Sequence, residues 1–217
     1  TGLWTAYYLK KADPSLNIVI VEKNFAGFGA SGRNGGWLSG NFAWDHEKYL
    51  TTGTAGQIKA MAAHFHASVD EVILVTEAEA IEADIHRTEE LSVATNPAQL
   101  ARLRPEVARL HHWGDPRSFV ETAKQSQARV NIPGALGAIV TPGVARIQPA
   151  KLVRGLADVV ARMGVQIFEQ TAADTIVAGK VTTARGAVSC KFILRATEGY
   201  TVGLPGLKRQ WLPLNSA

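Results

Sequence analysis

The chain has 217 residues, 46% of them hydrophobic, and a mean hydropathy near zero, which is an ordinary globular composition with enough apolar material for a sizeable core. Lys and Arg number 23 against 19 Asp and Glu, and the positive charges are scattered rather than gathered into a stripe, so no nucleic-acid partner is expected. No apolar run is long enough for a membrane span, and the single Cys190 leaves no intrachain disulfide, which fits a reducing, cytoplasmic setting.

In chain order, residues 1–22 read as the later part of a dinucleotide-binding βαβ unit. Gly2 opens an apolar helix with Leu3, Trp4, Ala6, Tyr7 and Leu9. Asp13-Pro14 marks a turn, and the β-branched run Asn17-Ile18-Val19-Ile20-Val21 predicts a strand ending at Glu22. Glu22 lies twenty residues after Gly2, the spacing at which such folds set a carboxylate against the adenosine ribose. Only Gly2 matches a glycine of the G-x-G-x-x-G fingerprint, the third. An ordinary helix–turn–strand has the same pattern, so this segment alone leaves the cofactor open.

Residues 27–36, Gly27-Phe28-Gly29-Ala30-Ser31-Gly32-Arg33-Asn34-Gly35-Gly36, hold five glycines in ten. Glycine permits close backbone approach and positive φ, and successive N–H groups in such a loop form an anion-binding concavity. Arg33 adds a planar charged donor. A flexible surface loop is the plain alternative; the position directly after a ribose-type acid favours a cofactor loop.

A long helical stretch is predicted from Trp44 to Asp84, broken near its start by Gly53 and Gly56. Ile85 to Ala94 reads as a strand, and Asn96-Pro97 as an N-cap with proline in the first turn. Pro105 lies inside the apolar pattern Leu100, Leu103, Val107, Leu110 and predicts the start of a second helix. Ala135 to Ile147 reads as paired short strands around Thr141-Pro142-Gly143. Pro149-Ala150-Lys151 opens an amphipathic helix with Leu152, Leu156, Val159, Val160 and Met163 facing inward and Gly164 after its end. A strand Val165 to Glu169 follows, then β-rich stretches at 175–181 and 187–196, with Cys190 in the latter expected in the core or half-buried rather than as a nucleophile. This order predicts a discontinuous α/β nucleotide domain with another domain inserted.

Other chemistries find little support. His64 and His66 are two apart and diverge on a helix. His111-His112 suit a helix C-terminus, and His46 and His86 are isolated, so structural or solvated roles are expected for all six. No Cys/His/Asp cluster has zinc spacing, and neither a G-x-S-x-G elbow nor a Walker loop is present.

Glu22-Lys23 followed by the 27–36 loop resembles the D-amino-acid oxidase/glycine oxidase superfamily of FAD-dependent oxidoreductases, and most of all its gamma-glutamylputrescine oxidase-like branch. Two further blocks agree: Arg146-Ile147-Gln148-Pro149-Ala150-Lys151-Leu152 with 164–169, and Ala196-Thr197-Glu198-Gly199-Tyr200-Thr201 with Leu204-Pro205-Gly206. The resemblance implies an α/β, glutathione-reductase-type FAD domain, discontinuous over 1–85 and 146–204. It also implies an inserted α+β substrate domain over 86–145 and 205–217, both incomplete, in an internal stretch of a longer enzyme inactive by itself. The implied cofactor residues are Gly2, Glu22, Lys23, Gly29, Ala30, Ser31, Arg33, Asn34, Gly35, Gly36, Ala173, Ala196, Thr197 and Gly199. Arg33 stands where some relatives carry a flavin-linking histidine, so FAD is expected to be non-covalent. The implied reaction is oxidation of an amine or amino acid to the imine, by hydride transfer to flavin. Arg33, Asn34, Trp37 and Ser39 are candidates near the flavin, with no catalytic residue assigned. Gln148, where many relatives have His, and Glu198, inserted into Ala-Thr-Gly, depart from the pattern. Two rivals stay open: an NAD(P)-binding dehydrogenase domain, and a non-catalytic subunit that kept the fold.

Overall fold

The computed structural model describes residues 1–42, 45–209 and 212–213. The elements run α1 (Gly2–Ala12), β1 (Val19–Val21), β2 (Trp37–Leu38), α2 (Ala55–Ala78), β3 (His86–Ala94), α3 (Pro97–His112), β4 (Phe119–Thr122), α4 (Ala123–Arg129) and β5 (Gly137–Arg146). They continue with α5 (Pro149–Arg162), β6 (Gln166–Phe168), β7 (Thr175–Val177), β8 (Lys180–Thr183) and β9 (Gly186–Ser189). By compactness the chain forms two units, Thr1–Asn34 with Pro149–Ala217, and Gly35–Gln148. The sequence drew the first boundary at 85/86. The compact units divide at 34/35 because β2 pairs with β5 and α2 packs on β5, which ties this stretch to the insertion.

In the discontinuous unit, β1 pairs in parallel with β6 in the register Val19↔Gln166, Ile20↔Ile167, Val21↔Phe168. Parallel strands need a crossover; here α5 leads into β6 and packs against α1. Tyr7, Leu156, Val159 and Val160 are almost completely buried, each worth roughly 1.5–3 kcal/mol of hydrophobic stabilisation. Gly164 ends α5 at φ +89, a left-handed position that favours glycine. Asp13 Oδ1 accepts from Ser15 N at 2.9 Å, an Asx turn that carries α1 toward β1. The buried Lys10 ammonium donates to the Pro14 and Leu16 carbonyls and closes the same turn. β7, β8 and β9 make an antiparallel meander.

The expected strand through Cys190 and Ala196 stops at Ser189, and no strand is described between 190 and 197. Phe192 is 90% exposed, so this stretch lacks the side-chain burial that stabilises a pleated strand. Cys190 itself is half-buried, as expected.

In the inserted unit, β5 is the central strand. β3 pairs along one edge of it, while β2 and β4 share the other edge at opposite ends. The sequence predicted two short strands around Pro142. The structure has one ten-residue strand with a bulge: Thr88 faces Val144, Glu89 faces Pro142, and Gly143 at φ +82 is the extra residue. A bulge frees proline of the ladder N–H it lacks, so the strand continues.

α3 is likewise continuous through Pro105. Pro105 and Ala101, whose carbonyl loses its partner, are both exposed, while Leu103 and Val107 are buried with Ala94 and Ile139. The orphaned carbonyl is on the solvent side, where it costs little, and core packing of Leu103 and Val107 holds both halves in line. α2 starts at Ala55 rather than near Trp44, which lies outside the described residues, and a short 3-10 segment occupies His46–Thr51. Thr54 and Gln57 form a capping box that sets this start. Val69, Ile73 and Ala145 with Leu38 and Ile85 make the second core cluster.

Candidate functional site

The discontinuous unit brings three separate sequence blocks together. α1 begins at Gly2, and a β-carbon there would lie 3.5 Å from Ala196 Cβ, so Ala196 lies against the helix start. No side chain caps α1, and the first N–H groups of a helix lack partners and carry its positive dipole end. Glu22 follows β1; its N–H extends the ladder to Phe168 O at 2.9 Å. Glu22 is half-buried, and its Oε1 accepts from Asn24 N at 2.9 Å. A carboxylate has about four acceptor positions, which leaves capacity for a ligand diol. Lys23 is exposed, and Ala173 is half-buried two residues beyond Thr171, whose N–H donates to Glu22 O at 2.8 Å.

The glycine loop is folded rather than slack. Gly27, at φ +93, backs onto Val153 of α5, and Ala30–Gly32 form a 3-10 turn. Gly32 N donates to Gly29 O at 3.1 Å and Arg33 N to Ala30 O at 3.2 Å. Asn34 Nδ2 donates to Ala30 O and Ser31 O at 3.1 and 3.2 Å, which locks the turn. A β-carbon at Gly32 would lie 2.1 Å from Gly27 O, so that glycine is demanded by loop closure. At Gly29 the neighbour is the Tyr200 ring, 3.1 Å from a β-carbon. Tyr200 lies in the 3-10 segment Glu198–Gly203, which Thr197 Oγ1 and Thr201 Oγ1 close at 2.7 Å. Arg33 places its guanidinium 4.2 Å from the Phe28 ring centroid, a cation–π contact. Glu198, the departure from Ala-Thr-Gly, adopts φ +43, and its carboxylate accepts from Gly199 N.

Gly35 and Gly36 belong to the inserted unit. Gly36 has φ +76, and its carbonyl accepts from Ile147 N at 2.9 Å. Trp37 is 78% exposed on β2, and Ser39 is exposed beyond it.

Sequence reasoning missed Glu169 and Arg154, which hold the loop's entry. Glu169 Oε1 accepts from Ala26 N at 2.9 Å and pairs with Arg154. The signal was an acid directly after a strand; its partner, Ala26, is far away in sequence.

The inserted unit contains two histidine–arginine contacts. Buried His46 stacks on Trp113 at 5.5 Å, and its Nδ1 lies 3.2 Å from Arg109 Nη1. His66 Nδ1 lies 2.8 Å from Arg117 Nη2. Burial, then the neighbouring arginine, lowers the pKa of each imidazole. Glu106 and Glu47 surround Arg109, and Glu47 accepts from Trp113 Nε1 at 2.7 Å. Both shifts favour the neutral imidazole, and His46 is buried against Trp113 while His66 is half-buried. Among the described residues no group of His, Cys, Asp and Glu suits a metal ion, and no helix is long and apolar enough to cross a membrane.

The FAD dependent oxidoreductase family profile matches residues 1–216. The chain belongs to that family. Its fold is the family's α/β Rossmann-like FAD-binding architecture, discontinuous in sequence, with an inserted subdomain. Gamma-glutamylputrescine oxidoreductase of Escherichia coli is 30% identical over 206 residues, 92% of this chain and 47% of that protein. L-proline dehydrogenase from P. horikoshii superposes with a TM-score of 0.70 at 16% identity, covering 94% of this chain and 51% of that one. Glycine oxidase from Bacillus cereus gives 0.65 at 20% identity, covering 88% and 50%. The chain thus spans about half the length of the curated relatives it matches.

The family's cofactor is FAD, and the residues present fit it. A carboxylate with spare acceptor positions follows β1, an uncapped helix start suits a pyrophosphate, and the 27–36 loop has no histidine or cysteine for covalent attachment.

Proposed function

We propose that the protein to which this chain belongs is an FAD-dependent oxidoreductase acting on an amine or amino acid, on the branch that includes gamma-glutamylputrescine oxidoreductase. One observation carries the reading: the α1 start, the Glu22 carboxylate and the folded glycine loop gather in one compact unit. Bound FAD supplies a hydride acceptor for the carbon bearing the amine. Glu22 would accept from the adenosine ribose hydroxyls, and the α1 N-terminus with the Ala196–Gly199 stretch would hold the pyrophosphate. The loop from Gly29 to Asn34 lets backbone approach the cofactor, with Arg33 as its cation. FAD-dependent family membership favours flavin over nicotinamide.

The test uses protein expressed from the complete gene. It should purify with flavin absorbance that amine or amino-acid substrates bleach anaerobically. A colourless protein that takes up no FAD refutes the reading. A yellow protein that no amine or amino acid reduces points to a non-catalytic subunit.

A further inference from the structure

Between Glu22 and Gly27 the chain runs beside the end of β6. Thr171 N donates to Glu22 O at 2.8 Å and Gln170 N to Asn24 O at 2.7 Å. The partners run backwards, 171 then 170, so the parallel register that ends at Val21↔Phe168 does not continue here. The 22–26 segment bends, and the segment facing it turns at Gln170, where φ is +50. No ladder carbonyl reaches Ala26. The Glu169 side chain takes its place, with Oε1 accepting from Ala26 N at 2.9 Å.

Arg154 of α5 completes the arrangement. Its Nη1 pairs with Glu169 Oε1 and lies 3.5 Å from Ala26 O, so both polar groups of Ala26 are addressed. Ala26 is buried, and Gly27 beyond it rests on Val153, one residue before Arg154. Thr171 Oγ1 donates back to Glu169 O at 2.9 Å, which steadies the turn. The Ala26 N–H, with Arg154 beside it, holds the Glu169 carboxyl below the usual carboxylate range.

We propose that Glu169, supported by Arg154, is a positioning residue for the cofactor site: it fixes where the glycine loop leaves the β1 end and thereby sets the loop against Glu22. The inference rests on the FAD reading above for its consequence, but its geometry is independent of it. A site on a loop keeps its aim only when neighbouring hydrogen bonds hold the loop's root.

The experiment compares Glu169→Ala, Glu169→Gln and wild type in the complete protein, with Glu22→Ala as reference. Amide hydrogen exchange over residues 24–28 is measured in flavin-free protein, then FAD affinity by fluorescence titration. Glutamine keeps an acceptor for Ala26 N; alanine does not. Glu169→Ala should speed exchange and weaken FAD about tenfold, the effect of one hydrogen bond to a charged group. Glu169→Gln should restore both to near wild type, a rescue that general destabilisation would not give. Unchanged exchange in Glu169→Ala overturns the proposal, as does a Glu169→Gln variant as impaired as Glu169→Ala. So does FAD affinity that Glu22→Ala weakens and Glu169→Ala leaves intact. Exchange that responds as stated, in a protein that binds no FAD in any form, supports the clamp and refutes the FAD reading instead.

Discussion

Replacing Gly32 by alanine tests whether the glycine loop has the closed shape described. The added β-carbon would sit 2.1 Å from Gly27 O and 2.9 Å from Gly27 C. Both neighbours are backbone, so no rotamer change relieves the clash, and the loop must open by more than an ångström. Overpacking of this kind costs about 1–3 kcal/mol. At about 2–4 °C per kcal/mol for a domain of 150–250 residues, melting should fall by roughly 2–12 °C. Gly35→Ala is the internal control. Its β-carbon would meet Trp37 at 3.5 Å, an ordinary contact, and Gly35 has no positive φ. Alanine there restricts the unfolded chain, so the change should be neutral or stabilising by up to about 1 kcal/mol. Gly29→Ala should fall between them, because the Tyr200 ring at 3.1 Å is 63% exposed and can swing aside. Thermal and denaturant unfolding of the flavin-free variants measure the order. A Gly32→Ala protein as stable as wild type, or Gly35→Ala as damaged as Gly32→Ala, would refute the loop's packing.

Glu22→Ala should weaken FAD binding by about 1.5–3 kcal/mol, roughly 10- to 150-fold; unchanged retention in a titration removes Glu22 from the site. Acid precipitation of the FAD-loaded protein should release all flavin to the supernatant, and flavin remaining in the pellet would show a covalent link. Stability of the inserted unit should decline on acidification. His46 and His66 have lowered folded pKa values and accept through Nδ1 only when neutral. Their contribution is therefore complete above the unfolded value of about 6.5 and is lost as pH falls through the lower folded values. Unfolding curves at pH 8 and pH 5 check it, and equal stability, corrected with a His46→Gln, His66→Gln double variant, would refute it.

Local chemistry was readable directly from residues. The Asn96 cap with Pro97, the apolar stripe of α5 ending at Gly164 and the β-branched run before Glu22 all act within a few turns of chain. Their interactions do not depend on distant partners, so pattern and structure agree. Proline misled at two places because its local effect was overridden. Pro105 stays inside α3, where the lost hydrogen bond faces water and Leu103 and Val107 are clamped by the sheet. Pro142 stays inside β5, where the Gly143 bulge absorbs the missing donor. The 190–197 stretch failed in the opposite sense, a strand-forming composition with its apolar side chains left exposed. What tertiary structure alone decided is convergence. Nothing local says that Ala196 lies against Gly2, that Tyr200 lies on Gly29, or that Glu169 holds Ala26. Those contacts join residues separated by well over a hundred positions. They exist because the parallel pairing of β1 with β6 and the packing of α1 on α5 bring the two ends of the unit together.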